Sequence, residues 1–337
     1  MSVPLGSASP PRYTGALAVL TTVFFMWGFA TVMNDILVPH LKAVFQLNYG
    51  QSLLIQFAFY LGYLLMAMPS AKLLERIGYK NSVVPDAATV ATVLTAQQRA
   101  ADVQAVQLPY VLIAGVLVAL ALLVWRVRLP DLGQESRRAA QAERAQHSLW
   151  RHRNLVFGVP AICLYLLCEI GIGSTLVNFI SLPTIGDMSH AKAARYLSLF
   201  WGGAMVGRFA GAALLRWISP ERLLAAVSAG ALILVLIAIT SGGSLAMWSL
   251  IAIGLCHSVM FPTIFTLGIR GLGPLTEEGS GLLIMAIAGG AFSALQGVLA
   301  DRIGLQLSYL LPAACYVYVL GYALWGAKRA PCVAGVV

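Results

Sequence analysis

The chain has 337 residues, 59% of them hydrophobic and only 10% charged, with a formal net charge of +9. A soluble domain carries about 25% charged residues, so this composition excludes one, and the basic excess reads as membrane topology rather than a nucleic-acid footprint, because Lys and Arg collect in cytoplasmic loops. The five cysteines form no CxxC pair and no zinc spacing, so neither a disulfide framework nor a metal site is expected.

The N-terminal stretch MSVPLGSASPPRY is a polar tail without a cleavable signal pattern, so the apolar block after it is read as a retained helix. Nine apolar stretches of membrane-crossing length follow, near 14–38, 51–74, 108–127, 154–181, 195–216, 222–241, 245–269, 279–300 and 305–326. The predicted class is an all-α polytopic membrane protein. The first stretch ends in WGFATVMNDILVPHLK. Asp35 there is either a solvated helix end or a carboxylate facing the protein interior or a water path; at the bilayer centre it costs about 2.5–3.5 kcal/mol on insertion scales.

Between the third and fourth stretches lies a polar segment with seven arginines from Arg126 to Arg153. The positive-inside rule makes it a cytoplasmic linker, 128–153, and the six later helices alternate consistently from it. The first half does not close. Lys72, Arg76 and Lys80 mark the loop after the second helix as cytoplasmic, yet only one clear span separates that loop from the linker. An even number of crossings is required. An internal repeat sharpens the point: KLLERIGYK after the second span is echoed by VLADRIG after the eighth and, more loosely, by GRFAGAALLRWISPER after the fifth. Such repeats suggest duplicated three-helix units. Six helices in the second half then predict six in the first, with three absent between about Lys80 and Ala105.

AKLLERIGYK resembles the loop signature of the major facilitator superfamily, with Leu73, Arg76, Gly78 and Lys80 fitting and Ala71, Glu75 and Tyr79 departing from it. Within that superfamily, FFMWGFATVMNDILVPHLK, LIQFAFYLGYLLMAMPSAKLLERIGYK, EIGIGSTLVNF, GRFAGAALL and SVMFPTIFTLGIRGLGPLTEEGSGLLIMAIAGGAFSALQGVLADRIG resemble the fucose permease and glucose/galactose transporter group. The resemblance implies a major facilitator fold with two bundles around a central cavity. Here that means an incomplete N-terminal bundle of about three helices over 1–127, with an irregular junction at 81–107. The linker 128–153 and a complete six-helix C-terminal bundle over 154–337 follow. It further implies a proton-coupled monosaccharide symporter, multi-pass in the inner membrane with both termini cytoplasmic, monomeric, without a cofactor. Its partners are the sugar, protons and the bilayer, and no nucleic acid. A cavity glutamate of the group's fourth helix falls in the missing segment.

By this resemblance Asp35 is the proton carrier. Protonation would remove the charge that blocks passage through a closed intermediate, and burial shifts a carboxylate towards neutral titration. Asn34, about 100° round the helix, bonds either sugar hydroxyls or a neighbouring helix. Trp27 is either an aromatic platform for a pyranose or an interface tryptophan. Gln56 is a cavity group or an interhelical hydrogen bond. Glu169, either a cavity group or one paired with another helix, and Asn178, at i and i+9, are further substrate-binding candidates that need not share a face. Glu75, Arg76, Gly78 and Lys80 form the conformational loop motif. His257 either titrates near neutrality or makes a structural bond, and Gln296 is similar and weaker. Gly202, Gly203, Gly207 and Gly211 permit close helix contact. No HExxH, GxSxG or clustered Asp pair supports an enzyme. The alternatives are a non-transporting truncated remnant, or a facilitator of a different small molecule.

Overall fold

The 28 residues Arg153–Ile180 form one uninterrupted helix despite Pro160 inside it, as membrane helices allow when neighbours re-satisfy the freed backbone groups. The structure, a computed structural model, describes residues 148–327 continuously, together with Val38, Lys42, 46–54, 56–62, 64 and 65. All of them fall in one compact unit of the chain, Asn34–Met66 with Gly133–Val337. Trp27, Asn34, Asp35, Glu75, Arg76, Gly78 and Lys80 lie outside the described residues. So do the first and third predicted spans apart from Val38, the 81–107 junction and most of the linker.

Residues 49–65 are helical at every described position and are called α1. Among the described residues six helices are long and apolar enough to cross a membrane: α2 Arg153–Ile180, α3 His190–Leu214, α4 Pro220–Thr240, α5 Gly243–Ile269, α6 Thr276–Ile303 and α7 Leu305–Gly326. The described residues are all-helical apart from short connections and contain no strand. These six coincide with the six apolar stretches predicted for the second half. The one clear difference is α3, predicted to begin near 195. It begins five residues earlier, because the Ser189 hydroxyl accepts the Lys192 amide at 3.4 Å and caps the helix ahead of its apolar part.

Local sequence accounts for the other ends. Pro220 opens α4 at a first-turn position where its missing N–H costs nothing. Glu277 and Glu278 sit in the first turn of α6, favourable beside the helix dipole. Gly304, at φ 88°, makes the break between α6 and α7, a left-handed conformation that costs a residue with a Cβ. Within α6 the winding tightens to a 3-10 helix over Ala286–Phe292 before α-helix resumes at Ser293.

In α2 and α5, 61% of the membrane-length window is buried, against 28% in α3 and 33% in α4, so α2 and α5 form the centre of the bundle. Small residues bring the helices together, as membrane packing requires. A Cβ at Gly207 or Gly211 of α3 would overlap Ser258 or Val259 of α5, and one at Gly254 would overlap the Phe200 carbonyl. Gly203 makes only ordinary contact with Leu255, and Gly202 faces open space.

One end of the bundle gathers arginines. There Arg153 donates to the Trp325 carbonyl at 2.8 Å, and Arg270 pairs with Glu221. Arg151, Arg216 and Arg222 lie at helix ends on this same side. At the other end Gln306 Nε2 donates to the carbonyls of Ala238, Ile239 and Ser241, closing the turn between α4 and α5.

Candidate functional site

Three of the predicted site residues are described, and the structure separates them. Glu169 and Asn178 are nine residues apart on α2, half a revolution round the helix and about 13 Å along it. They face different surroundings.

Gln56 of α1 is fully buried and its Nε2 donates to Ser174 Oγ of α2 at 2.9 Å. The interhelical hydrogen bond, one of the two readings open in the sequence, is therefore formed. One helical step on, Thr175 Oγ1 and Tyr309 Oη lie 2.8 Å apart, tying α2 to α7.

Glu169 is half-buried on α2. The Tyr165 hydroxyl and the Arg208 guanidinium of α3 are the groups that act on its carboxylate. Tyr165 also donates to the His257 carbonyl at 3.2 Å, and its ring meets the His257 imidazole edge-on. His257 is buried, with Nε2 2.6 Å from Tyr316 Oη and Nδ1 without a partner among the described residues.

Asn178 is 6% exposed, near the end of α2 remote from the arginine-rich face. Its Oδ1 lies 3.3 Å from His190 Nε2 at the start of α3. Both line a pocket of about 410 Å3 with Ser181, Leu182, Gln46, Leu47, Tyr49 and Lys42. The Lys42 ammonium sits 2.9 Å from the centroid of the Tyr49 ring, a cation–π contact. Burial lowers the Lys42 pKa to about 8, partly opposed by the negative charge of Asp301.

Asp301 makes a long-range contact that sequence reading missed. Its carboxylate accepts the amides of Tyr49, at 2.8 Å, and Gly50, at 2.7 Å, and so caps α1. The only signal was VLADRIG as a repeat of the loop motif; the partner, 251 residues away, left no trace in local pattern. Among the described residues no group of three or more metal-ligating side chains occurs.

Polar and ionisable side chains held inside a bundle of membrane-length helices define a class: a polytopic membrane protein with a polar interior. The comparisons with known proteins are specific. The Major Facilitator Superfamily model matches residues 90–295. A glucose/galactose transporter of Brucella abortus is 38% identical, covering 96% of this chain and 96% of that protein. A putative glucose/galactose transporter of Helicobacter pylori is 33% identical, over 94% and 98%. The L-fucose-proton symporter of Escherichia coli is 25% identical, over 94% of each. A crystal structure of the Escherichia coli fucose:proton symporter, FucP, superposes with a TM-score of 0.69 at 23% identity, covering 95% of this chain and 100% of that one. The chain belongs to the Major Facilitator Superfamily. This is a family of transporters, in line with the expectation that the chain is not an enzyme.

The alignment with the Brucella abortus relative is 399 positions long and the chain has 337 residues, so no fewer than 62 of those positions have no counterpart here.

Proposed function

We propose that the chain is a secondary carrier of neutral monosaccharides of the glucose, galactose or fucose type, built for proton symport in the inner membrane and impaired at this length. The observation that carries the reading is the 38% identity to a glucose/galactose transporter over 96% of both chains. Proton coupling rests on Asp35 and on the more distant L-fucose-proton symporter. The cytoplasmic placement of both termini rests on the arginine-rich end of the bundle and the positive-inside rule.

The impairment follows from the missing positions. Alternating access moves one bundle against the other around a central site. A first bundle reduced to about three helices lacks half its wall, and polar groups meant for a cavity would meet lipid, where each unsatisfied one costs several kcal/mol. The rival reading, a remnant with no activity, is supported by the same shortfall of positions.

The test is uptake of labelled glucose, galactose and fucose into vesicles under an imposed proton gradient. It compares this chain with one whose missing segment is restored from a relative. The restored chain accumulates sugar, Asp35→Asn abolishes that accumulation, and the 337-residue chain shows little. Failure of the restored chain would refute the carrier reading, and strong accumulation by the short chain would refute the impairment.

A further inference from the structure

Gln296 is fully buried on α6, and neither its Nε2 nor its Oε1 has a hydrogen-bond partner among the described residues. Ser293, one turn earlier, is equally buried, and its hydroxyl is also unpartnered among them. A carboxamide offers two donors and an acceptor, and burying them bare is costly. Leucine would fill the same volume without that cost, so stability in this conformation does not explain a glutamine here. Room for the amide is made by Gly171 of α2, where a Cβ would overlap Oε1. Ser174, three residues on and so close on the same face of α2, receives the Gln56 amide. Amides and hydroxyls from three helices therefore meet at one level of the bundle.

α1 borders this cluster, its Gln56 bonded to Ser174. A Cβ at Gly297 would fall 2.6 Å from the Tyr49 carbonyl and 2.9 Å from Leu53, and one at Gly290 2.8 Å from the Tyr60 ring. The two helices lie flush, and the Asp301 contact holds one end. Just before Ser293, α6 passes through its 3-10 stretch, Ala286–Phe292; a mid-helix run of this kind often marks a hinge.

We infer that Gln296 binds hydroxyl groups of the monosaccharide, covered by α1 in this conformation and uncovered when α1 parts from α6. The inference rests on the proposed reading as a sugar carrier. A planar amide that donates and accepts side by side matches a pair of neighbouring pyranose hydroxyls, and the neutral character of the cluster selects a neutral sugar. Every residue of the cluster is in the chain as it stands, so binding, not transport, is the readout.

The experiment measures equilibrium binding of labelled glucose, galactose and fucose to the purified full chain in detergent, with thermal midpoints recorded alongside. Gln296→Leu should bind about ten-fold more weakly, the loss of roughly one hydrogen bond to ligand. Its unliganded midpoint should equal or exceed that of the parent, and Gln296→Asn should fall between. A purely structural glutamine gives the reverse: a lower midpoint and binding within two-fold of the parent. That result overturns the inference and leaves the carrier reading intact. If the parent retains none of the three sugars, the inference fails, and the carrier reading is decided separately by the restored chain. Should Gln296→Leu not fold, maleimide labelling of Gln296→Cys serves instead. Labelling that saturating sugar slows sustains the inference, and labelling that sugar leaves unchanged overturns it.

Discussion

The carboxylate of Asp301, at the end of α6, accepts the backbone amide of Gly50 at 2.7 Å, across 251 residues of sequence. With the Tyr49 amide on its other oxygen, it satisfies two of the four amides that a helix start leaves open. A negative charge also favours a helix N-terminus.

Removing that cap should show in stability. A hydrogen bond to a charged group contributes about 1.5–3 kcal/mol, and Asp301 is exposed, so the lower end applies. Asp301→Ala should lower the thermal midpoint in detergent, with Asp301→Asn intermediate because its single carbonyl serves one amide. Equal midpoints for all three proteins would show that α1 is held by packing alone.

Lys42 gives a pH signature, and it lies beyond the predicted first span. Its pKa in the folded protein is about 8, below the ordinary 10.5. Between those values the unfolded chain holds more protons, so stability rises with pH across that window. The burial cost of the charged ammonium is present in full below about 8 and fades as pH approaches 10.5. Acetylation of Lys42, followed by mass spectrometry, should reach half its maximal rate near pH 8. Half-maximal reaction near 10.5 would contradict the burial.

Topology is checked by cysteine labelling. Single cysteines at Ser148 and Thr184, at opposite ends of α2, should react from opposite sides, with Ser148 cytoplasmic beside the arginines. Labelling of both from one side would mean that α2 does not cross the membrane.

The second half was readable because long apolar runs punctuated by Gly, Pro and Arg carry their own boundaries. α4, for instance, is framed by Ser219-Pro220 and Gly242-Gly243. The start of α3 was misplaced because His190, Lys192 and Arg195 hide its first turns from any hydropathy reading. Helical period alone separated Glu169 from Asn178. The fold adds what period cannot: Asn178 belongs with His190 and Lys42, and Gln56 with Ser174. The role of Asp301 was illegible because its partners are backbone amides of a distant helix, which no side-chain pattern encodes. Gln296 read as an ordinary polar residue, and only its buried, unpartnered amide sets it apart.

The central claim is recognition of a neutral monosaccharide, and saturable binding to the purified 337-residue chain tests it most directly. Labelled glucose, galactose and fucose are titrated in detergent beside the Brucella abortus relative as a positive control. The account predicts saturable retention of at least one sugar, displaced by the same unlabelled sugar. A chain that is folded by its thermal transition, yet retains none of the three while the control binds, would contradict it.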